Sequence, residues 1–208
     1  MTEENYNYRT SQILLRNQFP GKGRLKIPII PKFEPRLGDY DDLLLIGFDK
    51  TNLEDQNHLD CMVYFFLYDY RFERVWKNPD SDIEKLSRYR AELSPDFSMY
   101  LEMAPVMQLY NVSRNRWCGT YWASKGIRVI PTVNWGDEST FDFSSRGSKL
   151  AVPLLCLPIW RQPMITDRIR RNGSWPVTTR CCGESSRKNF LLQYTLPGDA
   201  GRYCVCGL

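Results

Sequence analysis

The sequence holds a single histidine, His58, and no apolar run longer than a strand. The first scarcity argues against a histidine triad and against a histidine-bearing zinc site. The second argues against a membrane-spanning helix, which needs about 18 or more apolar residues in a row. The longest run is Met62–Tyr68. Several motifs are also missing: Gly-x-Gly-x-x-Gly, a Walker-type loop, His-Glu-x-x-His and Gly-x-Ser-x-Gly. Their absence removes the sequence grounds for a dinucleotide fold, a P-loop enzyme, a zinc protease or an α/β-hydrolase. Cysteine is odd in number, at seven, and the pairs Cys181-Cys182 and Cys204-x-Cys206 lack zinc-ligand spacing. Free thiols are expected rather than a disulfide framework. The polar, acidic start Met1-Thr2-Glu3-Glu4-Asn5 shows no signal-peptide pattern. The expectation is a cytoplasmic protein with no membrane partner.

What is present is globular in composition: 208 residues, 42% hydrophobic and 25% charged. That length suits one domain with a buried core. Charge is uneven along it. Up to Phe143 acids outnumber bases by three, whereas beyond it only Asp167, Glu184 and Asp199 are acidic and the excess is basic. A basic tail ordinarily points to nucleic acid or an anionic surface.

The body reads as alternating strands and helices. Ile27-Pro28-Ile29-Ile30-Pro31 is a short extended stretch that its prolines keep out of a central strand position. Leu43–Phe48 and Met62–Tyr68 are continuous apolar runs ending on Asp49 and Asp69, as buried strands do. Asn78-Pro79-Asp80-Ser81-Asp82 supplies residues able to cap a helix, and Ile83, Leu86 and Tyr89 follow at helical spacing. A strand is predicted at Ala91–Leu93. A long helix is marked by Val106, Leu109, Tyr110, Trp117 and Tyr121 and stopped by Gly126 at C′. Ile127–Val133 is a fourth strand. The order predicts an α/β fold with a mainly parallel sheet, with barrel-like closure left open and the layer possible only in incomplete form. The close-set aromatics Tyr64, Phe65, Phe66, Tyr68, Tyr70, Phe72 and Trp76 read mainly as core.

In parallel sheets ligands sit beyond the C-terminal strand ends. Those positions hold Asp49, Asp69, the Ser94-Pro95-Asp96-Phe97-Ser98 segment and Asn134-Trp135. Asp96, Asp49 and Asp69 are the candidate catalytic residues, since a carboxylate there can serve as general base, metal ligand or sugar-hydroxyl acceptor. Ser94, Ser98, Asn134 and Trp135 are candidate ligand contacts. So are Arg114, Asn115 and Arg116 on the long helix, because guanidinium forks suit phosphate or carboxylate. The plainer alternatives are equally concrete: Asp96 or Ser98 capping a turn, and one arginine turned inward onto Asp96 or Glu102. Gly136-Asp137-Glu138 reads as a solvated loop and His58 as a surface residue. No metal site and no cofactor are assigned.

Four segments together are distinctive: Ser94–Ser98, Met107-Gln108-Leu109-Tyr110-Asn111, Arg114-Asn115-Arg116-Trp117 and Val129–Trp135. From about Arg9 to Phe143 the chain resembles the phage- and mobile-element-associated family of domain of unknown function 4417. That resemblance implies no particular activity. It implies a continuation through another strand, an amphipathic helix and two closing strands, which residues 144–208 do not resemble. Read one nucleotide upstream, the codons of 171–182 can encode EWFLAGYNEMLR, an amphipathic helix, and beyond Lys188 the other frame restores an apolar strand. The expectation is therefore an α/β domain over 1–143 and an out-of-frame, poorly ordered tail over 144–208. Two functions stay open: an enzyme acting on nucleotides or nucleic acid through strand-end carboxylates, or a non-catalytic binder of such ligands. A frameshifted chain could also be inactive.

Overall fold

The computed structural model describes residues 3–34, 36, 44–100, 102–135, 138–144, 155–158, 175–176, 179–181 and 190–192. The chain opens with α1 (Glu3–Thr10) and α2 (Gln12–Leu15), then an antiparallel pair, β1 (Gly21–Lys22) and β2 (Ile27–Pro28). Next come β3 (Leu44–Gly47), β4 (Met62–Tyr64), α3 (Arg74–Lys77), α4 (Ile83–Leu86) and β5 (Ala91–Leu93). The long α5 (Pro105–Ser124) leads to β6 (Val129–Ile130), β7 (Thr132–Trp135) and α6 (Phe141–Ser144). Short strands β8 (Leu155–Pro158), β9 (Trp175–Pro176), β10 (Thr179–Cys181) and β11 (Phe190–Leu192) follow. The expectation of a poorly ordered tail falls mostly on residues outside the described set.

β3, β4, β5 and β6 lie side by side in chain order, every pair parallel, with Leu45 opposite Met62, Val63 opposite Glu92 and Leu93 opposite Ile130. β9 adds to β3 antiparallel, and β7 pairs in parallel with β8. The predicted α/β layer is present, and among the described residues the sheet is not closed into a barrel. Winding without reversal, with the usual right-handed crossover, sets the connecting helices on one face. α3 indeed meets α5, Trp76 packing edge-on to Trp117 at 5.5 Å.

The core between sheet and helices is aromatic. Phe65 stacks on Phe48 at 4.9 Å and on Trp122 at 5.3 Å, and Phe72 tilts onto Phe97 at 5.2 Å. Such pairs add about 0.5–1.5 kcal/mol each beyond the burial of their surface. Tyr68 and Tyr70 depart from the expected core role: both are exposed and stack on each other. Helix α5 ends as expected. Gly126 takes φ 86°, its amide donates to the Ala123 carbonyl, and the Ile127 amide donates to the Trp122 carbonyl, a Schellman closure. Its start differs from a simple amphipathic pattern, because Val106 and Tyr110 are exposed while residues 114–120 are buried throughout. Gly119 permits that depth: a Cβ there would stand 2.5 Å from Ile30 Cδ1 and 3.2 Å from Ser94 Cβ. The short α4 is not capped by a side chain, because Asp82 instead binds Arg74 at 2.7 Å and Lys85 at 2.8 Å.

Cys61 and Cys118 are buried free thiols, and burial pushes Cys118 up to about 12. Among the described residues no helix is long and apolar enough to cross a membrane.

Glu92, central in β5, is fully buried and neither carboxylate oxygen meets a hydrogen-bond donor among the described residues. Its face is the one turned to α5, since Ser94, two residues on, contacts Asn115. Desolvation holds its carboxyl well above the usual range, only partly opposed by Lys85, whose ammonium is engaged by Asp82. The folded state therefore keeps the Glu92 proton while the unfolded chain releases it, so stability falls as pH climbs above the ordinary glutamate value. Glu92→Gln should flatten that fall and raise stability at pH 8 by about 1–4 kcal/mol. Urea denaturation of both proteins at pH 5 and pH 8 measures it.

Candidate functional site

Pro131 sets the local geometry at the C-terminal strand ends. It has no N–H to continue the β6 ladder, so the strand breaks there and the chain changes partner from β5 to β8. The polar groups beside the break find side chains instead. The Thr132 amide donates to Ser94 Oγ at 2.8 Å, and the Ser94 hydroxyl donates to Asn115 Oδ1 at 2.9 Å. The Thr132 carbonyl accepts from Asn115 Nδ2 at 3.2 Å and from Arg116 at 2.8 Å. Asn115 also donates to the Pro95 carbonyl, and Arg116 to Asn115 Oδ1 and the Ser144 carbonyl. Ser94, Asn115 and Arg116 are all buried. Three of the sequence-selected residues thus form one lock that joins β5, α5, β7 and α6.

Beyond the lock lies the acidic rim. Asp96 is buried and accepts from Asn134 Nδ2 at 2.7 Å, while the same amide reaches the Phe97 carbonyl at 3.0 Å. Asp69, in a 3-10 turn after β4, is partly open. It accepts from the Ser98 amide at 3.1 Å and the Ser98 hydroxyl at 2.7 Å. Ser98 Oγ is 3.2 Å from the hydroxyl of exposed Tyr100. Burial holds Asp96 well above the usual carboxylate range, and the charge of Asp69 pushes it further. Burial raises Asp69 as well, opposed by the Ser98 bonds and by Arg114. Asp49, the third candidate, follows β3 on the surface and pairs with Arg71 at 2.6 Å. Trp135 ends β7, its side chain outside the described set, as are Gly136 and Asp137.

The helix arginines are both buried, although they point in different directions. Arg114 lies over the Phe97 ring at 3.9 Å, bonds Asn111 Oδ1, and grips both oxygens of Glu73 at 2.9 Å. Its partner is thus Glu73 rather than Asp96 or Glu102, because the loop after β4 brings Glu73 under α5. Arg114 also stands 4.0 Å from Asp69. His58 is exposed, as expected, and faces Asp55 at 3.1 Å. Among the described residues no three His, Cys, Asp or Glu side chains gather as a metal would require.

Sequence reasoning missed a second group, at the opposite ends of the strands. Arg90 immediately precedes β5, Arg128 immediately precedes β6, and both line a cleft with Arg36 and Arg88. Two arginines standing just ahead of two parallel strands were the available signal.

Residues 24–153 match the family described as Domain of unknown function (DUF4417). The chain belongs to this family. Over 85 residues it is 48% identical to the Gene 1 protein of Mycobacterium phage L5, covering 41% of this chain and 37% of that one. It is 46% identical over 85 residues to the Gene 1 protein of Mycobacterium phage D29, covering 41% and 32%. The matched stretch thus spans about a third of the length of these curated relatives. No solved structure matches. Both of these relatives of the domain of unknown function 4417 protein come from phages.

In this family member the lock makes a direct stability prediction. Asn115→Leu leaves the Ser94 hydroxyl and the Pro95 carbonyl without their buried partner, at about 1–3 kcal/mol for each such group. A loss of about 2 kcal/mol or more in denaturant unfolding is expected, and a change under 0.5 kcal/mol would remove the lock from the account.

Proposed function

We propose that the C-terminal strand rim is an acid–base site of an enzyme acting on nucleotides or nucleic acid, with Asp96 and Asp69 as its two carboxyls. One observation carries the reading: two neighbouring carboxyls sit in unequal surroundings, Asp96 fully enclosed and Asp69 partly open. Carboxyls whose surroundings push them apart divide into a proton donor and a proton acceptor. Asp96, held neutral, gives a proton to a leaving oxygen. Asp69 takes one from an incoming hydroxyl or water. Ser98 and Tyr100 supply hydroxyls beside Asp69, and the stacked rings of Tyr68 and Tyr70 offer a flat apolar surface for a base or sugar. Ser94, Asn115, Arg116, Asn134 and Arg114 act here as positioning residues.

A second reading is a binder without turnover. It is favoured by the enclosure of Asp96, which Asn134 already engages and which solvent barely reaches. Asp96→Asn separates the two, with ATP and an oligothymidylate as probes. The enzyme predicts turnover lowered by about 10²-fold or more with affinity unchanged. It also predicts wild-type activity that declines as pH rises and Asp96 loses its proton. Affinity lost with no turnover in either protein favours the binder.

The tail from Ser144 is read as out of frame, although the family match runs on to residue 153. A coding sequence with no single-base insertion or deletion near codons 144 and 189 overturns that reading.

A further inference from the structure

The ends of the strands remote from the acidic rim carry the opposite charge. The segments entering β4, β5 and β6 border an open cleft of about 580 Å³. Among the described residues its lining brings four guanidinium groups, Arg36, Arg88, Arg90 and Arg128, against one carboxylate, Asp60. Asp60, the Arg88–Arg90 pair and Arg128 come from three separate stretches of chain, and the parallel sheet sets them side by side because each lies just before a strand.

The way two of them are held matters. Arg88 donates to the Asp55 carbonyl at 2.8 Å. Arg128 donates to the Arg90 carbonyl at 3.3 Å and the Glu34 carbonyl at 3.2 Å, and lies over the Phe33 ring at 4.7 Å. A carbonyl fixes the direction of the Arg88 guanidinium without cancelling its charge. Asp60 stands 3.9 Å from Arg90, and its side chain is 94% exposed, where screening weakens the pair. A neighbouring hollow of about 380 Å³ shares Arg36 and Arg128 and is lined largely by apolar side chains, Phe33 among them. The combined shape offers a charged part and an apolar part, in the size range of small-ligand sites.

We propose that this cleft binds a phosphate-bearing ligand, its phosphates on the arginines and its base on the apolar side. Guanidinium forks match phosphate oxygens two at a time, and their convergence gives the cleft a positive field although the body as a whole is acidic. The shared chemistry is phosphate, carried by a free nucleotide or by a nucleic-acid backbone. The site is separate from Asp69 and Asp96, so its failure leaves the acid–base reading standing, and the reverse also holds.

Calorimetric titration of the full chain at low salt tests it with pyrophosphate, ATP and an oligothymidylate. Saturable binding of at least one probe is expected. Arg88→Gln should weaken it about tenfold or more, and Arg88→Lys less. Ser87→Glu, at an exposed position on the cleft wall, places a negative charge there and should weaken it at least as much. It carries the test if the arginine variant does not fold. ATP and pyrophosphate binding without the oligonucleotide assigns a free nucleotide. Oligonucleotide binding alone, lost steeply with salt, assigns a backbone. Binding equal in wild type, Arg88→Gln and Ser87→Glu would move the phosphate to the basic tail and overturn the proposal, as would no binding of any probe.

Discussion

A missing N–H at Pro131 organises this molecule. Buried backbone polar groups must be paired, and a proline in mid-strand breaks the ladder that would pair them. Here the Ser94 hydroxyl, the Asn115 amide and the Arg116 guanidinium take over for both polar groups of Thr132. Each rescuer comes from a different position, so the repair fastens the end of β5 to the middle of α5. Asp96 and Asn134 lie just beyond that fastening, and Arg114 one position before it on the helix. The acidic rim is therefore no rigid loop by accident; it hangs from a satisfied polar network inside the core.

The two edges of the sheet differ in sign. Carboxylates collect where the parallel strands leave the layer, paired there with Arg71 and Arg114, and guanidiniums outnumber carboxylates among the described residues of the cleft where the strands enter. The net charge of +4 conceals this separation, since opposite patches cancel in the sum but not in the local field. The acidic edge is also the drier one at Asp96, where burial pushes the carboxyl well above the usual carboxylate range, whereas the basic edge opens to solvent.

Much of the layer was legible in the residues. The apolar runs before Asp49 and Asp69 each hold a strand, although β4 takes only Met62–Tyr64 of the second, and the Gly126 stop of α5 follows from its tolerance of positive φ. The acids at strand ends were legible for the same reason, because strand direction is implied by the βα alternation. Pairings set by distant chain were not. Arg114 chooses Glu73, 41 residues away, and no local pattern names that partner. Glu92 sits between apolar neighbours as a solvent-facing residue would, yet the helix layer covers its face. Tyr68 and Tyr70 look like core by composition and lie outside it, because the chain turns after β4. The basic cleft escaped notice because its arginines are spread over ninety positions and only the sheet gathers them. Closure into a barrel depends on how the sheet's outer strands meet, which alternation alone does not specify.

The unreversed order of β3 through β6 bears on how the layer is assembled. Each parallel strand seeks a neighbour that has just been synthesised, so loops are closed over short stretches and their entropic cost stays small. Such a layer can grow from its first strand outward while the chain is still emerging from the ribosome, each βα unit docking on the one before. A doubly wound sheet must instead wait for a later strand to return past the first.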